Sequence, residues 1–422
     1  MHYGVSQNAN CFPGHRFHLS CGRFAAPNYP RSSASMTSYE DPEVRYTYRS
    51  TLVDQLRAEG EFQVGRIRLL MPQSFGFCWG VDRALAMVND ARKEYQGKPM
   101  WLLNSIIHNP RVNDDMGEMG IKFLKGKQSV PGALEELNES DVVIVPAFSA
   151  MVEEMEDLKS RGVKVVDTTC PWVIKPHKRA EKYVREGFTT VVHGTVGHDE
   201  TRATCSLVRS LGGEFVIVHD MREAEILARY LEGTLDAQEL LSGLHPQAVR
   251  KNFEPTPHLQ RVGVINQTTM LASESRSIAE RLRQALLKRW GEQELSDRFR
   301  DFDTICQATQ ENQDAATAVV DSSPDLFLVV GGYDSSNTRN LARVGDAAGV
   351  PAWHIQGPDC ISVDCLEYRE RHTGEIKTKK DWLPEGPISV AFTAGASTPD
   401  AILGQVVERV VAVAGESLGQ EV

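Results

Sequence analysis

The stretch Asp167-Thr168-Thr169-Cys170-Pro171-Trp172 decides how this chain is read, because it sets a cysteine where a strand ends and a helix begins. Upstream, Gly162 to Val166 (GVKVV) is a short apolar run with a β-branched bias. Downstream, Pro171 suits the first position of a helix, and Lys175 to Arg185 can continue it. Unpaired backbone N–H groups and the positive end of the helix dipole then favour a thiolate at Cys170 over a thiol. A thiolate in that position can ligate a metal.

The construction recurs twice. Arg66 to Met71 (RIRLLM) reads as a strand, Gly76-Phe77-Cys78-Trp79-Gly80 turns the chain, and Val81, Ala84, Leu85 and Val88 mark the apolar stripe of a helix. Phe302-Asp303-Thr304-Ile305-Cys306 is followed by a helix-like segment from Thr309 to Val320. No local zinc finger or ferredoxin run spreads its cysteines so widely. Taken singly, each is also readable as a small buried hydrophobe. The repeated strand–cysteine–helix setting instead points to three similar modules that aim one cysteine each at a shared centre. Three thiolates leave one metal position open. Cys205, Cys360 and Cys365 lack the setting and read as structural or exposed.

The 422 residues allow two or three units of ordinary size and a large core. With 41% hydrophobic residues and no bilayer-length apolar run, the composition is that of a globular protein, not a membrane-spanning one. A net charge of −11 argues against a general nucleic-acid surface, although a local basic pocket for an anion stays open. Eight cysteines are too sparse for a disulfide framework in a chain this long, which points to a reducing compartment. Residues 1–39 contain no Asp or Glu and read either as a disordered extension, with Met36 as an alternative start, or as an acid-poor transit segment.

From Arg66 onward, apolar runs alternate with amphipathic segments. The strand candidates are 66–71, 100–107, 141–148, 162–166, 188–193, 214–218, 261–265, 325–330 and 388–393, with helices expected at 81–95, 152–161, 173–186, 274–290, 309–321, 338–348 and 399–414. This is the pattern of an α/β fold with mainly parallel sheets, in which ligands sit at the carboxyl ends of strands. The polar stretches 232–260 and 365–387 read as insertions or surface connections. The expected organisation is an N-terminal extension (1–65, partly disordered), three α/β modules (66–170, 171–305 and 306–412) and a tail (413–422).

Several strand-end residues are suited to chemistry. Glu200, in Gly197-His198-Asp199-Glu200, is an acid/base candidate if desolvation holds its proton near neutral pH, and an ordinary solvated turn residue otherwise. His108, in Ile107-His108-Asn109-Pro110, can hydrogen-bond a phosphate or simply pack, while His177 and His193 have weaker contexts. Gly331-Gly332-Tyr333-Asp334-Ser335-Ser336-Asn337, Asn266-Gln267-Thr268-Thr269 and Thr393-Ala394-Gly395-Ala396-Ser397-Thr398-Pro399 each offer hydroxyls, an amide or helix-start N–H groups to an anion. Ordinary helix capping accounts for any one of them. There is no P-loop and no dinucleotide fingerprint.

These segments resemble the 4-hydroxy-3-methylbut-2-enyl diphosphate reductase family, over about residues 66–412. The resemblance rests on Gly76-Phe77-Cys78-Trp79-Gly80-Val81-Asp82-Arg83-Ala84, Ile107-His108-Asn109-Pro110, Asp167-Thr168-Thr169-Cys170-Pro171, Gly197-His198-Asp199-Glu200, Gln267-Thr268-Thr269, Ile305-Cys306-Gln307-Ala308-Thr309, Ser335-Ser336-Asn337 and Thr393-Ala394-Gly395-Ala396-Ser397. It implies three α/β modules around a central [4Fe–4S] cluster held by Cys78, Cys170 and Cys306, with the fourth iron facing the substrate. It also implies diphosphate contacts from His108, His198, Ser335, Ser336, Asn337 and Ser397, Thr268 beside the substrate hydroxyl, and Glu200 as proton donor. A two-electron reductive removal of the hydroxyl would give isopentenyl and dimethylallyl diphosphate.

One position departs from the pattern. Many bacterial members carry a further diphosphate-binding histidine where Phe148-Ser149-Ala150 is followed here by Met151. That departure, with Cys78-Trp79, Asn266-Gln267-Thr268-Thr269 and the 232–260 insertion, is similar to the plant and cyanobacterial branch. The resemblance therefore implies ferredoxin or flavodoxin as electron donor, and a bacterial cytoplasm or a plastid stroma as location. Two other classes remain open to the residues alone: a zinc hydrolase built on the cysteines and His198, and an electron carrier with a fully ligated cluster.

Overall fold

Each apolar run expected to be a strand carries one, and together they form three sheets. The computed structural model describes residues 48–371 and 373–418. Both readings of residues 1–39 fall outside them, as does the end of the tail.

Two sheets are four-stranded and parallel throughout. One orders Lys122–Phe123, Met100–Leu102, Val142–Val145 and Lys164–Asp167. The other orders Phe299–Asp301, Val262–Asn266, Thr189–His193 and Phe215–Val218. The third has seven strands, with Ile67–Leu70, Ile388–Ala394, Leu326–Val330 and Ala352–Ile355 parallel at its centre. Glu61–Val64 flanks one side antiparallel, and the hairpin Cys365–Arg369 and Ile376–Lys380 flanks the other. Central strands such as Val142–Val145 and Leu326–Val330 are buried at every residue, because helices cover both faces of a parallel sheet.

The structure departs from the expected segmentation at the start of the fold and in its polar stretches. The strand within 66–71 joins the sheet of the last module, with Ile67 opposite Ile388 and Leu69 opposite Val390, rather than that of the first. Its Ile67 and Leu69 bury against Val390, Phe392 and Val407, partners that a local apolar pattern cannot name. The fold also begins before residue 66. The helix Thr51–Glu59, capped by Ser50 and closed by left-handed Gly60, packs Leu52, Val53 and Leu56 into the same core, so the extension is shorter than expected.

The polar stretches are likewise more structured than surface connections. Within 232–260, the helix Ala237–Gly243 and the residues after it bury Leu240, Leu244, Ala248, Phe253 and Leu259 in the core of the 189–301 sheet. Within 365–387 lies the edge hairpin, whose Ile376–Lys380 strand is exposed at every position. Its lysines suit a sheet edge that must not pair with another chain.

Candidate active site

Each of the three cysteines caps a helix at a strand's carboxyl end. Cys78 precedes Trp79–Glu94, Cys170 precedes Pro171–Arg185 and Cys306 precedes Gln307–Val320. One clamp repeats at all three. The Cys78 N–H donates to Ala396 O at 3.2 Å, that of Cys170 to Ala147 O at 3.0 Å, and that of Cys306 to Thr268 O at 3.1 Å. Two residues earlier, the Gly76 N–H, the Thr168 hydroxyl and the Thr304 hydroxyl donate to Ala394 O, Val145 O and Asn266 O on the neighbouring strands. Each sheet thus fixes one cysteine against the loop that leaves the adjacent strand.

The sulfurs converge. A methyl group added at Gly80 would stand 2.6 Å from Cys170 Sγ and 3.7 Å from Cys78 Sγ, so those sulfurs lie within the sum of those distances of each other. Cys306 acts electrostatically on Cys78, and Cys170 on Cys306. Arg83 Nη1 donates to Thr169 O at 3.2 Å and ties the first helix to the second cysteine loop. Burial outweighs the helix-terminal field here: the Cys78 thiol is pushed up to about 12, and those of Cys170 and Cys306 are raised as well. The thiolate expected from the helix dipole therefore needs a bound cation, which deprotonates a coordinating thiol outright. Among the described residues no three His, Cys, Asp or Glu side chains close on a single ion. Three soft donors spread around a buried space suit a polynuclear unit instead.

Glu200 stands beside this space. It is 1% exposed, and its charge acts on both Cys170 and Cys306. Burial pushes its carboxyl up to about 7, even though Thr268 donates to both oxygens, from its N–H at 2.7 Å and its hydroxyl at 2.9 Å. A group half-protonated near neutral pH can deliver a proton at the pH where the cell works.

His198 caps the helix Asp199–Ser210 through Nδ1, which accepts from the Glu200 N–H at 3.2 Å. That bond assigns the remaining proton to Nε2, which is buried and has no partner. His108 stacks on Phe148 at 4.1 Å between ring centroids and meets the His198 ring edge-on at 4.9 Å. Its Nε2 is also buried and unpartnered. Burial lowers both imidazoles, His108 to about 4, so both rings are neutral at pH 7. Two buried ring nitrogens without partners mark a place meant for a polar ligand.

The last sheet brings its hydroxyls to the same place. Ser335 caps the helix Ser336–Ala347 by accepting from the Thr338 N–H, which leaves its own hydroxyl proton available. Asn337 accepts from the Ala396 N–H at 2.9 Å and donates to the Thr309 hydroxyl at 3.3 Å. The Ser397 hydroxyl donates to His108 O at 3.5 Å, and Gly332 lies so close to that carbonyl that a Cβ there would overlap it. Asn340 donates to Thr269 O at 2.8 Å and locks this helix to the Thr268 loop.

These contacts link the three cysteines, Glu200, Thr268, His108, His198, Ser335, Asn337 and Ser397; the Ser336 hydroxyl meets Met270 Sδ at 4.0 Å and accepts from Asn340 at 3.5 Å. Of the weaker histidines, His193 bonds Ser275 and His177 lines an apolar hollow. Met151 does not replace the absent histidine; its sulfur takes a 3.5 Å contact from Arg202. Cys205 and Cys360 are buried and Cys365 half-buried, all unpaired. Two neighbours escaped the sequence reading, Phe148 and Arg339. An aromatic at a strand end looks like core, and an arginine in a first helical turn looks like a solvated face.

The profile described as LytB protein matches residues 69–411. The chain belongs to the LytB family. Relatives within it include the 4-hydroxy-3-methylbut-2-enyl diphosphate reductase of Prochlorococcus marinus (strain MIT 9211), 40% identical over 87% of this chain and 90% of the relative. That of Gloeobacter violaceus (strain ATCC 29082 / PCC 7421) is 38% identical over 92% of this chain and 93% of the relative. The solved E-1-hydroxy-2-methyl-but-2-enyl-4-diphosphate reductase from Plasmodium falciparum shares the fold, with a TM-score of 0.59 at 19% identity over 82% of this chain and 87% of that one. The LytB match spans all three cysteines and every site residue named above.

Proposed function

We propose that this chain reduces 4-hydroxy-3-methylbut-2-enyl diphosphate to isopentenyl and dimethylallyl diphosphate. Two electrons and two protons enter, the allylic C–O bond breaks, and water leaves. The observation that carries the reading is the meeting of three helix-capping thiols with a buried carboxyl held near neutrality, next to two buried imidazole nitrogens without partners.

Cys78, Cys170 and Cys306 would hold one [4Fe–4S] cluster per chain, in an arrangement of three α/β modules that each contribute one thiolate. When bound, such a cluster supplies single electrons and, at an iron without a protein ligand, a Lewis-acid site for the hydroxyl. The remaining work belongs to the chain. Neutral His108 and His198 hydrogen-bond the diphosphate with the hydroxyls of Ser335, Ser336 and Ser397 and with Asn337, fixing the allylic end near Glu200. Protonated Glu200 donates its proton, with the Thr268 hydroxyl between it and the substrate hydroxyl as a relay, and the leaving group departs as water. Proton delivery to one or other end of the allyl group selects the product. Ferredoxin or flavodoxin fits the need for a one-electron donor, and the cyanobacterial relatives support a bacterial or plastid setting.

Anaerobic cluster reconstitution, followed by assay with the hydroxylated diphosphate and a purified electron donor, tests the proposal. Turnover with iron and acid-labile sulfide is expected, and Cys170→Ser is expected to lose cluster and activity together. One zinc per chain and no iron would sink it, as would a cluster whose spectrum ignores the substrate.

A further inference from the structure

The charges around the diphosphate pocket do not balance, and one residue accounts for the imbalance. Arg339, in the first turn of the helix Ser336–Ala347, is half-buried, and its Nε has no hydrogen-bond partner. Among the described residues no carboxylate pairs with it. The other cations nearby are committed: Lys125 to Glu154, Lys127 to Asp334, Arg202 to Asp199 and Arg343 to Glu274. Arg369 spends its donors on the carbonyls of Tyr333 and Gly374. Arg339 faces Asp334 as its one acidic neighbour, and that carboxylate is exposed and engaged by Lys127.

Its field reaches both orphaned rings. The Arg339 charge acts on His108 and on His198, whose buried Nε2 atoms lack partners. A permanent cation beside two neutral imidazoles and a row of serine hydroxyls is a receptor for a multiply charged anion. Leaving such a group half-buried without a counter-charge is costly unless a ligand brings one. A guanidinium also matches phosphate oxygens with two parallel N–H donors.

We propose that Arg339 is a further substrate-binding residue that neutralises the diphosphate, supplying the positive charge Met151 cannot. This rests on the proposed reductase function for the identity of the ligand, though not for the presence of an anion site. His108 and His198 then orient the phosphates as neutral donors, and the affinity comes from Arg339.

The test compares Arg339→Gln and Arg339→Lys with the unaltered, reconstituted enzyme. Charged hydrogen bonds of this kind correspond to roughly tenfold to hundredfold in affinity. Arg339→Gln should raise KM for the hydroxylated diphosphate and the inhibition constant of inorganic diphosphate by at least about tenfold. Its kcat, iron and sulfide should change little, and its KM should lose much of its dependence on ionic strength. Arg339→Lys should recover part of the loss. Unchanged inhibition by inorganic diphosphate in Arg339→Gln, with full iron content, would overturn the assignment, and so would Arg339→Lys behaving no better than Arg339→Gln. If the unaltered chain fails to reduce the substrate yet binds inorganic diphosphate through Arg339, the anion site stands and the reductase reading alone falls.

Discussion

Thr268 engages both oxygens of the Glu200 carboxyl, one through its backbone N–H and one through its hydroxyl. Both bonds favour the ionised carboxylate, yet the group titrates near neutrality because burial opposes them and is the larger effect. A proton donor of moderate strength results, with a hydroxyl already placed to pass the proton on.

Glu200→Gln keeps the shape and removes the transferable proton. Turnover should fall by roughly a hundredfold or more, the usual contribution of a positioned general acid, while iron content stays full. In the unaltered enzyme, activity should decline as pH rises through about 7, because the carboxyl that must be protonated loses its proton there. A pH profile of single turnovers with pre-reduced enzyme isolates that step. An alkaline limb that survives unchanged in Glu200→Gln would reassign the donor.

Gly80→Ala sets two effects against each other. Alanine is the better helix former by about 1 kcal/mol, and Gly80 sits in the first turn of Trp79–Glu94. Its Cβ, however, would stand 2.6 Å from Cys170 Sγ, a distance that forces the sulfur aside. We expect the contact to win at the metal centre, with iron and sulfide per chain falling severalfold. The secondary-structure content should stay normal by circular dichroism. Full iron loading would show that the cysteine loop yields easily.

Gly332→Ala is expected to strike the other half of the site. The added Cβ overlaps the backbone carbonyl of His108, which no rotamer change relieves. The His108 ring should shift off Phe148 and away from His198, weakening inorganic diphosphate by roughly tenfold or more while leaving iron content intact. Loss of iron in Gly332→Ala, or unchanged diphosphate binding, would separate His108 from the anion pocket.

The cysteines were legible in the sequence because everything that positions them is local: an apolar run, a turn, then Pro171 or Gly80 and an amphipathic helix. The clamp from each cysteine N–H to the adjacent loop was not, since Cys78 and Ala396 meet only through the pairing of Ile67–Leu70 with Ile388–Ala394. Strand partners that distant leave no mark on either segment. The edge strand Ile376–Lys380 was invisible because water on both faces removes the alternation that betrays a strand. The helix dipole at Cys78 favours the thiolate, but burial, which a local motif does not show, is the largest cause acting on the thiol. Arg339 was missed because a sequence does not show which charges lack partners.

Acid should destabilise the fold through its buried imidazoles. Burial lowers His108, His177, His193 and His354 from an ordinary 6.5 to about 4, and it lowers His198 well below the ordinary value too. Below pH 6.5 the unfolded chain takes up protons that these rings refuse in the folded state, so stability falls as pH drops toward 4. Each ring contributes up to about 1.4 kcal/mol per pH unit across that window. Glu200 works in the opposite sense: its raised value gives stability that is present at low pH and lost as pH rises through about 7. Asp199 and Asp400, also raised by burial, act in the same sense as Glu200, but five rings outweigh three carboxyls, so anaerobic urea midpoints should drop between about pH 7 and about pH 5.5. Inorganic diphosphate should flatten the drop, because an anion beside His108 and His198 favours their charged forms and withdraws those two rings from the penalty. His177 lines a separate apolar hollow and His193 bonds Ser275, so these two rings keep the rest of the slope, while His354, which bonds Gly331 O and feels the Arg339 charge, responds in part. A midpoint that is flat across this range, or a slope that diphosphate leaves untouched, would mean that these rings accept protons in place.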